Sequence, residues 1–138
     1  MEKIAFYAEA NNKIGIGHLI RLYNFQKLIK NKKIIWLFSG DGKIAKKILK
    51  KDYYHLESSN INSLTNKIHT ILKKEKIIKI FLDIANKTNL ERKKNYENFL
   101  YNLKKKNYFI VSFDDPRLKI ISDVSIIPYI FDKKKLII

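Results

Sequence analysis

Residues 3–21 read KIAFYAEANNKIGIGHLIR: an apolar run of strand composition, a polar turn, then two glycines, a histidine and an arginine at the head of a helix-like pattern. The first run, taken as a strand over Lys3–Ala8, is apolar on both faces, as a strand covered by helices on both sides must be. Further along, IIWLF, IIKIFL and YFIVSF have the same character. They predict strands over Ile34–Phe38, Ile77–Leu82 and Tyr108–Phe113, with shorter ones at Tyr53–Leu56 and Val124–Ile127.

Between the strands lie stretches of helical period, predicted as helices over His18–Lys30, Lys43–Lys50, Ile61–Lys74 and Leu90–Lys105. In the third, Ile61, Leu64, Ile68, Ile71 and Leu72 recur at spacings of three and four, and Ser58 and Ser59 offer capping hydroxyls just upstream. In the fourth, Tyr96, Phe99, Leu100 and Leu103 form one stripe. This alternation predicts an α/β, Rossmann-like open parallel sheet with helices on both faces. Right-handed crossovers give the strand order 3-2-1-4-5-6.

With 138 residues, 46% hydrophobic and 12% aromatic, the chain reads as one domain over 1–138 that can bury a core. The tail YIFDKKKLII after Pro128 ends on apolar residues with no element left to pack them. It reads as half of a larger assembly or a truncated reading frame. The net charge is +16, but the lysines come in doublets and triplets at the ends and polar faces of the predicted helices, so nucleic acid is not the expected partner. There are no cysteines, which excludes disulfides, thiolate metal sites and a cysteine nucleophile and suits a reducing compartment. MEKIAFYAEANN lacks the apolar length of a signal peptide, and no stretch approaches a membrane span. A soluble cytoplasmic protein is expected.

In an open parallel sheet, ligands bind at the carboxyl ends of the strands where strand order reverses. The polar residues predicted there are Glu9, Asn11, Asn12 and His18 after the first strand, Asp83 and Asn86 after the fourth, and Asp114 and Asp115 after the fifth. A dinucleotide loop requires G-x-G-x-x-G directly after the strand. Here Gly15 and Gly17 are followed by Ile20, and EANNKI separates the first glycine from the strand, so no nicotinamide or flavin is expected even with Asp41 as a distant acid. GDGK at Gly40 to Lys43 lacks the spacer and the Ser/Thr of a P-loop. No His-x-x-x-His or carboxylate cluster suggests a metal, and no cofactor is expected. His18 falls in a first helical turn, whose N–H groups and dipole favour anions, and an uncharged imidazole there suits a general base. The residues also allow a helix-start histidine that merely caps or packs, and strand-end acids that cap the next helix. His55 and His69 read as incidental.

The segments KIAFYAEANNKIGIGHLIRLYNFQKLIK, FLDIANKTN and VSFDDPRLKIISDVSIIP, in this order, span nearly the whole chain. Together they resemble the N-terminal domain of the nucleotide-sugar hydrolases of pseudaminic acid biosynthesis. Those enzymes remove UDP from UDP-2,4-diacetamido-2,4,6-trideoxy-β-L-altropyranose and share the two-domain GT-B fold of many glycosyltransferases. The most specific match is I-G-x-G-H-x-x-R, carried by Ile14, Gly15, Gly17, His18 and Arg21. The resemblance implies that His18 activates water for attack at the anomeric carbon, that Gly15 and Gly17 hold the loop close to a nucleotide-sugar substrate and that Asp83 and Asp114 fall on the family's strand-end acids; Glu9, Asn11 and Arg21 complete the expected substrate-binding set. The family's nucleotide-binding C-terminal domain is not expected within these residues, so the chain is expected either to work with a separately encoded nucleotide-binding subunit or to be left over from a split gene. Two departures stand out. Tyr7 and Glu9 replace the family's Arg-x-Asp, and Asp83-Ile84-Ala85 replaces its Asp-His-Tyr. These keep open an inactive remnant, a sugar-nucleotide or partner-binding module, or the acceptor half of a split glycosyltransferase.

Overall fold

A computed structural model describes residues 1–57, 60–83, 90–113 and 121–126, with the side chains of 61 and 90–96 outside the description. Among these residues the order is β1 (Glu2–Ala10), α1 (Gly17–Phe25), a 3-10 turn (Gln26–Leu28), β2 (Lys32–Gly40), α2 (Gly42–Ile48), β3 (Tyr53–His55), α3 (Ile61–Glu75), β4 (Lys79–Asp83), α4 (Leu90–Lys105), β5 (Phe109–Phe113) and β6 (Val124–Ile126). The six strands form one parallel sheet in the order β3-β2-β1-β4-β5-β6. The fold is the Rossmann-like α/β arrangement, with the strand order that the alternation of runs predicts.

Successive strand residues point to opposite faces, and each face meets helices. On one, Ala5, Tyr7, Leu37, Ile80, Leu82 and Ile110 pack against Ile68 and Leu72 of α3 and Phe99, Leu100 and Leu103 of α4. On the other, Ile4, Phe6, Ala8, Phe38 and Phe113 pack against Leu19 and Leu22 of α1 and Ala45 of α2. Phe6 anchors this second face, its ring 5.2 Å from Trp36, 5.1 Å from Phe81 and 6.3 Å from Phe25. Cover on both faces is why the strands read as unbroken apolar runs.

Several boundaries differ from the sequence expectation, each for a local reason. Lys76 and Asn107 take left-handed φ values of 59° and 67°. The N–H groups of Ile77 and Tyr108 then return to the carbonyls of Leu72 and Leu103 at 2.8 and 3.4 Å, closing α3 and α4 in the six-to-one pattern of a helix end. Ile77 and Tyr108 therefore finish helices instead of opening strands. In contrast, β1 and β2 run on to Ala10 and Gly40, so Glu9 is a strand residue opposite Ser39, not a loop residue. The first helix stops at Phe25 and tightens into the 3-10 turn, where the Gln26 side chain accepts a hydrogen bond from Trp36 Nε1 at 3.1 Å. Asn60 caps α3, accepting from the Ser63 N–H at 2.8 Å; the expected caps Ser58 and Ser59 lie outside the described residues, as does Ile127. Asp41, weighed above as a distant acid, caps α2 through the Lys43 N–H at 2.9 Å.

Parallel connectivity brings strand starts and helix ends to one edge of the sheet. The lysines that end α3 (Lys73, Lys74) and α4 (Lys104, Lys105) gather there with Lys32 and Lys33, at the negative ends of the helix dipoles. Three acids of that edge are paired within it: Glu75 with Lys3 at 2.9 Å, Glu2 with Lys32, and Asp123 with Lys104.

His69 has a structural role at this edge. Its Nδ1 is hydrogen-bonded to the Tyr108 hydroxyl at 2.6 Å, with ring centroids 5.6 Å apart. Burial holds His69 below its usual 6.5, helped by the charges of Lys106 and Lys73. With the folded value below the unfolded one, the unfolded chain binds more protons below pH 6.5. The stabilisation is therefore complete above that value and is lost as pH falls. Urea unfolding is expected to show a lower midpoint at about pH 5.5 than at about pH 7.5, and His69→Gln, whose amide can still hydrogen-bond a hydroxyl but does not titrate, should shrink the difference. An equal difference in both proteins would refute the assignment.

Candidate functional site

The order of the strands reverses between β1 and β4, and the candidate site lies at their carboxyl ends. Beyond Ala10 the chain folds on Asn11. Its side-chain oxygen accepts the N–H groups of Lys13 and Ile14 at 2.8 and 2.9 Å, and its carbonyl accepts that of Gly15 at 2.8 Å. Gly15 has φ of 77°, a conformation that a side chain would strain. This loop delivers Gly17 as the first residue of α1. Ile16 precedes it and provides no side-chain cap of the kind that usually takes one of the first-turn N–H groups. A Cβ on Gly17 would meet nothing within 4 Å among the described residues.

His18 and Arg21 are three apart on α1 and so share one face of it. That face meets Asp83, the last residue of β4, which follows Phe81 by two and points to the same side of the sheet. Asp83 Oδ1 lies 2.6 Å from His18 Nδ1 and 2.6 Å from Arg21 Nη2, and Oδ2 lies 2.6 Å from Arg21 Nε. The Asp83 side chain is 0% exposed, that of His18 17% and that of Arg21 28%. A carboxylate can only accept, so His18 Nδ1 is the donor of this pair, and in the neutral ring the lone pair then belongs to Nε2. The Arg21 guanidinium also stands 5.7 Å from the centre of the Phe113 ring, a cation–π contact. The sequence marks Phe113 only as a strand residue. Its place at the end of β5, on the α1 face, was the available signal.

The other sequence candidates fall differently. Asn11 builds the loop through its side-chain oxygen, Glu9 is half-buried in β1, and Asp114, Asp115 and Asn86 lie outside the described residues. His55 lies against Gly42, and its Nε2 donates to the Gly40 carbonyl at 3.0 Å. Among the described residues no group of three or more His, Cys, Asp or Glu could hold a metal ion, and no helix is long and apolar enough to cross a membrane. Two surface grooves run beside α3, one lined by Leu56, Ser63 and Ile71 and one by Asn62, Asn102 and Lys106; His18 lines neither.

No family model and no curated protein matches the sequence. Among solved structures, the chain is similar to a dTDP-glucose 4,6-dehydratase from Bacillus anthracis in complex with NAD. The identity is 18% and the TM-score 0.47, over 83% of this chain and 37% of that one. The chain thus spans little more than a third of the length of the protein it is similar to.

Proposed function

We propose that this chain is the water-activating half of a nucleotide-sugar hydrolase that removes UDP from a UDP-sugar. The observation that carries the reading is the 2.6 Å contact of His18 Nδ1 with buried Asp83, which leaves Nε2 as the one basic ring nitrogen at the start of α1. In the proposed step Nε2 takes a proton from water as the water oxygen bonds to the anomeric carbon. The bond from that carbon to the UDP oxygen breaks with its electron pair, and the configuration at carbon inverts. The start of α1, which Ile16 does not cap, favours an anionic group beside the histidine, and among the described residues nothing crowds a side chain's place at Gly17.

The choice of a UDP-sugar rests on the resemblance carried by Ile14, Gly15, Gly17, His18 and Arg21. A second, nucleotide-binding half is proposed to orient the pyrophosphate. Such positioning is worth roughly 7–11 kcal/mol of barrier, so turnover by this chain alone is expected to be slow. A specific observation favours a second reading, a binding module without the chemistry. Tyr7 stands where the family carries Arg, yet it is fully buried on the face opposite α1, with its ring 5.9 Å from Phe99. Incubation of the purified chain with a panel of UDP-sugars, followed by phosphorus NMR, separates the two. Release of UDP is expected. Calorimetric binding without release would support the module, and neither binding nor release would overturn both readings.

A further inference from the structure

Arg21 meets Asp83 as a fork, with Nε on Oδ2 and Nη2 on Oδ1, each at 2.6 Å. Oδ1 also accepts the Nδ1–H of His18 at 2.6 Å, and the two donors, Nη2 and Nδ1, stand 3.5 Å apart, the spacing of two N–H groups converging on one oxygen. An aspartate carboxyl left alone turns about χ2 in a broad, two-fold well. A planar guanidinium bonded to both oxygens fixes that plane. The guanidinium itself is held over the Phe113 ring at 5.7 Å.

We propose that Arg21 is a positioning residue: it fixes the Asp83 carboxylate so that Oδ1 faces His18 Nδ1, which selects the Nδ1–H tautomer and keeps the lone pair on Nε2. The catalytic consequence rests on the reading of His18 as the base, whereas the tautomer does not depend on any reaction. The alternative role, implied by the family resemblance, is a direct contact with substrate. A contact of that kind would act on binding and leave the imidazole unchanged.

Nitrogen NMR of protein labelled at histidine distinguishes the protonated from the lone-pair ring nitrogen. At a pH where the His18 ring is neutral, the wild-type protein is expected to show the Nδ1–H form. Arg21→Gln should shift the population toward the Nε2–H form that an unrestrained imidazole side chain prefers. Arg21→Lys keeps the charge without the fork, so it should follow Arg21→Gln in tautomer while remaining the safer variant for folding. With a turned-over UDP-sugar, kcat is expected to fall about tenfold or more, since a wrong tautomer disables a general base, while KM changes little. An unchanged tautomer with a raised KM would overturn the proposal. Retained turnover in a His18 variant would instead overturn the base reading, and the tautomer measurement would still decide the role of Arg21.

Discussion

Gly40→Ala is expected to lower the unfolding free energy by about 3–5 kcal/mol, the upper end for a single substitution. Gly40 has φ of 130°, and a Cβ there would stand 2.1 Å from the Ala10 carbonyl oxygen and 3.0 Å from its carbon. Both atoms are backbone, so no side-chain rotation relieves the clash. Nor can the Ala10 carbonyl withdraw freely, because it accepts the Asp41 N–H at 2.9 Å, at the end of the β1–β2 pairing. The loss is a large share of the roughly 5–15 kcal/mol that keeps a domain folded. Denaturant titration with circular dichroism measures it, and Gly17→Ala is the control. A Cβ at Gly17 meets nothing, and alanine suits a helix better than glycine, so the control should be neutral or slightly stabilising. A loss below about 1 kcal/mol in Gly40→Ala would show that the β1–β2 end yields easily.

Gly40 also shows where sequence reading reaches its limit. GDGK reads as a failed P-loop, because the residue's actual task, letting β2 pass close to the backbone of Ala10, is a fact about two strands and leaves no trace in either one alone. The sheet order was legible for the opposite reason. Strands covered on both faces must be apolar throughout, and IIWLF, IIKIFL and YFIVSF announce themselves without any partner being known. Their ends were not legible. Ile77 and Tyr108 are apolar whether they open a strand or close a helix, and only the left-handed turns at Lys76 and Asn107 decide between the two. Glu9 illustrates the same ambiguity, since a polar residue after an apolar run marks a loop and a strand end alike.

At the site, the spacing of His18 and Arg21 already places them on one helical face. That both turn to Asp83 depends on the packing of α1 over β4 and on the parity that sends Asp83 to the same side as Phe81. Those are relations across more than sixty residues. The sequence could place Asp83 at a strand end and at the crevice. It could not show that Asp83 would be completely buried behind His18 and Arg21, where its first task is to orient them.

His18→Asn is expected to leave the fold intact and to cut UDP release by about 10²–10⁴-fold, the usual contribution of a positioned general base. The substitution separates the two ring nitrogens chemically. Asparagine Nδ2 is bonded to Cγ as histidine Nδ1 is, so it can keep the donor that Asp83 Oδ1 accepts at 2.6 Å; nothing in asparagine corresponds to Nε2. Stability should therefore stay within about 1 kcal/mol of wild type while turnover falls, a barrier increase of about 2.7–5.4 kcal/mol at 1.36 kcal/mol per tenfold. His18→Gln is the complementary variant: its amide reaches toward the place of Nε2 and offers Asp83 no donor at Nδ1. It should lose stability as well as turnover. If turnover survived in His18→Asn and fell only in His18→Gln, the histidine would be a structural tie to Asp83, and the water-activating base would have to be sought elsewhere.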